Sequence, residues 1–200
     1  MSETRRPFTD LIPKVHRHLR AVPPVLILEA AVEITREFCR DTTCWTLDLD
    51  PIYIRSGTSD YELEVDACQA EIVGVTEAYV SNQKQVEGTD YTLMDRTLYH
   101  FLSEPGVNIS QGLQVTVALR PTEDAEQIDE RVYNDYYEAF RDGIIWRLAS
   151  EKNKPWSDPA LASERLILFE NAKEKARIDV IRGGPGMKAN LQMKPLRSWL

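Results

Sequence analysis

The chain reads as an α+β fold, on three observations. Apolar residues recur at helical spacing up to Arg40, alternate from Trp45 to Arg120, and return to helical spacing from Ile128 to Ile181. The expected architecture is a three-helix bundle with an antiparallel β-sandwich or barrel-like insertion between its first and second helices, followed by an extended C-terminal tail. In residues, 1–44 hold the N-terminal segment and first helix, 45–120 the β insertion, 121–182 a helical hairpin, and 183–200 the tail.

Met1 to Arg20 is basic, and Thr9-Asp10-Leu11-Ile12-Pro13 predicts a short helical turn that tolerates proline only near its start. Pro23-Pro24 then introduces a helix to Arg40, with Val25, Leu28, Val32, Thr35 and Phe38 at helical spacing beside Ala31. In the next block Trp45, Leu47 and Leu49 alternate with Thr46, Asp48 and Asp50, as in a half-buried strand. Tyr61, Leu63, Val65 and Ala67 alternate with Glu62, Glu64, Asp66 and Cys68, giving a strand with an acidic outer face. Further strands are expected near Glu71–Val80, Tyr91–Met94, Thr97–Leu102 and Leu113–Leu119, separated by turn clusters such as Glu87-Gly88-Thr89-Asp90 and Glu104-Pro105-Gly106.

The hairpin starts where Asp129 can cap a first turn, with Ile128 and Tyr133 placed as a hydrophobic staple. Val132, Tyr136, Ala139, Phe140, Gly143 and Ile144 form its apolar stripe, which Pro155 is expected to end. Asp158-Pro159 reads as cap and first residue of the last helix, whose inner face is expected to carry Leu161, Leu168, Ala172, Ala176 and Val180, broadened by Leu166 and Phe169. Gly143 costs about 1 kcal/mol relative to alanine in mid-helix, which either a close helix crossing or a local bend would explain. Gly183-Gly184-Pro185-Gly186 breaks the helix. The tail beyond it carries Met187, Lys188, Leu191, Met193, Lys194, Leu196, Arg197, Trp199 and Leu200 and no acid. It is too apolar for an ordinary solvated terminus and too short for its own core, so it should be buried against a partner; a disordered terminus is the alternative.

A length of 200 residues with 42% hydrophobic and 28% charged residues suits one compact globular unit. No apolar run approaches the roughly 18 residues of a membrane span, and the N-terminus has no signal-peptide pattern. Cys39, Cys44 and Cys68 are therefore expected to be reduced thiols. Net charge is −8, but residues 41–130 hold 18 acids and 4 bases while the remainder holds 14 acids and 20 bases. The acidic middle argues against nucleic-acid binding there and fits a surface past which polyanions move without sticking.

No phosphate-binding glycine loop, metalloprotease motif or nucleophile elbow is present. Asp48 with Asp50, or Glu62 with Glu64, offers paired carboxylates for a hard cation, although alternating acids ordinarily mark the solvent face of a strand. Cys39 and Cys44 lack a second close Cys/His pair, so no zinc site and no cofactor is expected. Tyr133, Tyr136 and Tyr137 make an aromatic patch suited to a neighbouring helix or subunit, and Trp146 and Trp156 read as core or interface residues.

Two stretches, Leu11-Ile12-Pro13 to Trp45 and Arg120-Pro121 to Arg182, resemble the head-to-tail connector (adaptor) proteins of tailed bacteriophages. The first carries Pro23-Pro24, Leu26-Ile27-Leu28, Ala30-Ala31 and Glu37-Phe38-Cys39; the second carries Ala118-Leu119-Arg120-Pro121, Gly143, Pro155-Trp156-Ser157-Asp158-Pro159-Ala160-Leu161 and Phe169-Glu170. The resemblance implies a non-catalytic virion protein, assembled in the host cytoplasm into a ring of usually twelve subunits beneath the portal. It implies three partners: further copies of the chain, the portal protein, and a tail, nozzle or tube protein below. Genomic DNA would pass without sequence-specific binding. Tyr133, Tyr136, Tyr137, Trp146 and Trp156 would then pack between subunits, Gly183, Gly184 and Gly186 would form a hinge, and the tail from Met187 to Leu200 would dock in the portal. A tail-completion or terminator protein is the second reading, and a metal-dependent hydrolase using Asp48 and Asp50 the third.

Overall fold

The computed structural model describes residues 4–65 and 69–183. The chain is mixed α and β, with four α-helices and three antiparallel sheets among the described residues. A strand β1 (Arg5–Pro7) leads through a 3₁₀ turn (Phe8–Leu11) into the short helix α1 (Ile12–His16), and α2 spans Pro24–Thr42. The β region comprises β2 (Thr46–Asp48), β3 (Ile52–Ile54), β4 (Asp60–Glu62), β5 (Ala70–Val80), β6 (Gln83–Lys84), β7 (Tyr91–Met94), β8 (Leu98–Phe101) and β9 (Ile109–Pro121). Strand β10 (Gln127–Asp129) then precedes α3 (Glu130–Ala149) and α4 (Pro159–Ile181).

Strand β9 organises the larger sheet. It pairs with β2 and β3 in succession and with β5 on its other side, and β6 folds back on β5. Leu113, Val115, Val117 and Leu119 alternate inward along it and are buried, as a period of two requires. The β5–β9 register slips twice, between Ile72 and Gly74 and between Val75 and Glu77, and each slip is a β-bulge that locally increases twist. The second sheet, β4-β8-β7, has an aromatic interior: Tyr91 and Tyr99 stack with ring centroids 4.3 Å apart, and Phe101 meets Tyr99 and Tyr61 edge to face.

Helix α2 lies against β9 and is tied to the sheet by Arg36, whose guanidinium donates to Pro121 O at 2.7 Å and pairs with Glu71 at 3.1 Å. The α3–α4 hairpin packs on α2 around Phe38, Phe140 and Phe169, all fully buried, with Phe38 5.3 Å from Phe140 and 6.0 Å from Phe169. Burying each such ring stabilises the fold by about 1.5–3 kcal/mol.

Both predicted helix starts hold. Asp129 accepts from Arg131 N and Val132 N, and Asp158 accepts from Ala160 N and Leu161 N with Pro159 at the first helical position. Several expectations need correction, and Val25, expected on the stripe of α2, is 57% exposed. Helix α3 ends at Ala149 rather than at Pro155: Glu151 N donates to Leu148 O in a tighter turn, and Asp158 N takes Ala149 O, a carbonyl that a further turn would need. The inner face of α4 carries Ala162, Phe169, Lys173, Ala176 and Asp179, so Leu168 points outward and is 41% exposed. The chain also opens in a sheet: β1 pairs with β10 across more than 120 residues, clamping the N-terminal segment to the start of α3.

Candidate interaction surfaces

The five aromatics singled out along the hairpin have different environments. Tyr133 is buried, its ring stacked 6.1 Å from that of Tyr137. Tyr136 is half-buried against Phe38 at 5.2 Å, and burial pushes its phenol well above the usual range. Trp146 stacks on Phe169 at 5.9 Å. These three rings are engaged within the chain, leaving the outer parts of Tyr137 and Trp156 as aromatic surface on the hairpin; each is half-buried and covered in part by a lysine, Lys14 over Tyr137 at 3.8 Å and Lys154 over Trp156 at 5.7 Å.

A different apolar surface was not legible from periodicity. On α4, Ile167, Leu168, Ile178 and Ile181 are exposed, Ile181 by 86%. Lys173 and Asp179 hold inward positions, so these aliphatic side chains face out. Lys173 Nζ is satisfied by Glu170 at 2.7 Å, Glu37 at 3.1 Å and Asp41 at 3.3 Å, which makes its burial tolerable. Burial alone would lower the Lys173 pKa, but these carboxylates outweigh it and raise it. Burial likewise works to raise Asp41, yet hydrogen bonds from Arg40 and Lys173 hold it below the ordinary carboxylate range.

The acidic alternation is real. Glu62 and Glu64 are exposed while Tyr61 and Leu63 are buried, and Asp48 is exposed on β2. Asp48, Asp50, Glu62 and Glu64 line one groove of about 1330 Å³ together with Arg5 and a floor that includes Leu47, Leu49, Ile52 and Leu63. Asp48 accepts from the Thr116 hydroxyl at 2.6 Å. Among the described residues no group of three or more His, Cys, Asp or Glu side chains is arranged to hold a metal ion. His100 is engaged across strands with Asp60 at 2.6 Å, and Cys39 is a core residue whose thiol is pushed up by its hydrogen bond with Cys44 and by burial.

Beyond the end of α4 at Ile181, Gly183 adopts a left-handed φ of 89° and donates to Val180 O, the geometry that glycine takes after a helix end. Gly184, Gly186 and the tail residues Met187, Lys188, Leu191, Met193, Lys194, Leu196, Arg197, Trp199 and Leu200 lie outside the described residues. Among the described residues no helix is long and apolar enough to cross a membrane.

In comparisons with known proteins, no family model matches the chain and no curated protein matches it.

Proposed function

We propose that this chain is a structural head-to-tail connector of a tailed bacteriophage, which assembles side by side into a ring beneath the portal and surrounds the path of the genome. In this reading α2, α3 and α4 act as a bundle forming the body of each subunit, and residues 184–200 extend from it to dock in the portal. The observation that carries the reading is the outer face of α4, where Ile167, Leu168, Ile178 and Ile181 are exposed although the inner face of the same helix is already filled. Ile167, Ile178 and Ile181 fall on one side of α4, with the exposed Asn171 and Glu174 between them, and large aliphatic groups left exposed there favour burial against another protein surface. Head-to-tail contacts between copies, each using two different patches, close into rings when the rotation permits.

Three further features agree with it. The sequence motifs of the resemblance include the turn from Pro155 to Leu161 that begins α4. The outward acids of the β region, Asp48, Asp50, Glu62 and Glu64, outnumber Arg5, which lines the same groove, and would let a duplex slide past. The left-handed Gly183 follows the end of α4, just before the basic, apolar tail. The ring stays non-catalytic, and its place is the virion.

The test is native mass spectrometry of the full-length protein, alone and after addition of the portal protein of the same phage. The proposal expects a closed multimer of the 22.9 kDa chain, alone or templated by the portal. A chain that stays monomeric in both conditions contradicts it.

A further inference from the structure

We infer that the pocket between the end of α1 and the middle of α3 binds a phosphate group. Its walls are Lys14, Arg17, His18, Tyr137 and Arg141, and no carboxylate is among them. The volume is about 220 Å³, enough for one phosphate and several waters at about 30 Å³ of liquid per water. The positive charge there is in excess over its local counter-ions. Arg141 is fixed by two hydrogen bonds to Asp142, at 3.0 and 3.2 Å, and the same carboxylate takes Arg165 Nη1 at 3.1 Å. One buried anion thus serves two guanidiniums, with only the exposed Glu164 as a second partner of Arg165 at 3.5 Å, and the Arg165 Nε–H has no hydrogen-bond partner. Lys14 sits over the Tyr137 ring, and neither Lys14 nor Arg17 forms an ion pair among the described residues. The remaining acids nearby, Glu138 and Glu164, are exposed.

Arginine and lysine donors converging from two elements suit a tetrahedral oxyanion, whose several oxygens accept charge-assisted hydrogen bonds from different directions. The arrangement also makes a linkage. His18 is held below its ordinary pKa by burial and then by Arg165 and Arg141, against the weaker pull of Asp142 and Glu164. A phosphate beside Arg141, Lys14 and Arg17 would reverse that balance and favour protonated His18, so the His18 contribution to binding takes up a proton and grows as pH falls. The inference stands independently of the connector reading, because it rests on the pocket alone.

Isothermal titration calorimetry of the full-length protein tests it, with inorganic phosphate in one arm and a short oligothymidylate in the other, at ionic strength matched with sodium chloride. Saturable phosphate binding is expected, weakened about tenfold or more by Arg17→Ala and left unchanged by Arg131→Ala on the exposed start of α3. His18→Gln should retain binding and leave only the pH dependence that comes from the second ionisation of phosphate itself. Tighter binding of the oligonucleotide with the same Arg17 dependence would assign the phosphate to a nucleic-acid strand, and saturation by inorganic phosphate alone would assign it to the free ion. Heat that does not saturate, or affinity indifferent to Arg17→Ala, overturns the inference. So does a hexaglutamate peptide that binds at Arg17 more tightly than phosphate, since the pocket would then belong to a carboxylate-bearing protein.

Discussion

Gly143 shows what single residues decide in this fold. Its place in a helix admits either a bend or a close crossing, and the structure selects the crossing: a Cβ there would lie 2.6 Å from Ile34 Cγ2 and 2.9 Å from the Phe169 ring. Both neighbours are buried and have no room to retreat. Gly143→Ala should therefore destabilise, since overpacking costs about 1–3 kcal/mol against a gain in helix propensity of about 1 kcal/mol. Urea denaturation should give a net loss of up to about 2 kcal/mol by that balance; a gain in stability would mean the helices can part freely. Lys173 is the second case, and it was illegible as a buried residue because lysine in a helix ordinarily marks the wet side. Lys173→Met leaves Glu37, Asp41 and Glu170 clustered without their cation. Removing one partner of a buried pair costs about 3–5 kcal/mol, and the part-exposed carboxylates here reduce that to about 2 kcal/mol. The pH dependence has a definite sign. Asp41 is held below its ordinary 3.8, so its contribution is present above that pH and fades as pH falls through the lowered value. Lys173 is raised above 10.5, so its contribution is full below that pH and fades above it. Denaturation of wild type and Lys173→Met at a series of pH values should show the difference between them widest between these limits and shrinking on the acid side below 3.8.

At the scale of elements, what was legible had a local physical cause. Pro24 at the start of α2, Asp129 and Asp158 as caps, and the alternation of β9 all express chemistry between residues close in sequence. Asp158→Ala should cost about 1 kcal/mol, because two amides of the first turn of α4 lose their acceptor, and Asp158→Asn should restore most of it. Equal losses for both substitutions would point to a role other than capping. The missed strands lacked such local signals. β1 and β10 are three residues each and exist only by pairing with one another across the whole chain, and β6 is two residues folded back on β5. The long helices misled in one respect: the inward-facing set of α4 mixes Lys173 and Asp179 with Phe169 and alanines, so hydrophobicity alone placed Leu168 and Val180 on the inner face. That same inversion produces the exposed row at Ile167, Leu168, Ile178 and Ile181, the surface on which the functional proposal depends.

For the whole molecule, the β region and the helices form one continuous hydrophobic core, running from Phe8 and Leu11 through Ile27 and Phe38 to Val117, Phe140 and Phe169. Such a unit can present two different faces rigidly, which a head-to-tail contact between copies requires. If the outer row of α4 supplies one of those faces, Ile167→Asp with Ile178→Asp should abolish self-association and leave thermal stability nearly unchanged, since both side chains are already exposed. Truncation after Gly183 should spare the subunit fold and remove portal binding; a truncated chain that binds the portal normally would take the docking role away from residues 184–200. The central claim, that the chain is built to assemble laterally under a portal, is tested most directly by the native mass of the full-length protein with and without that portal. A closed ring of 22.9 kDa subunits in at least one condition is the predicted result, and a monomer in both would contradict it.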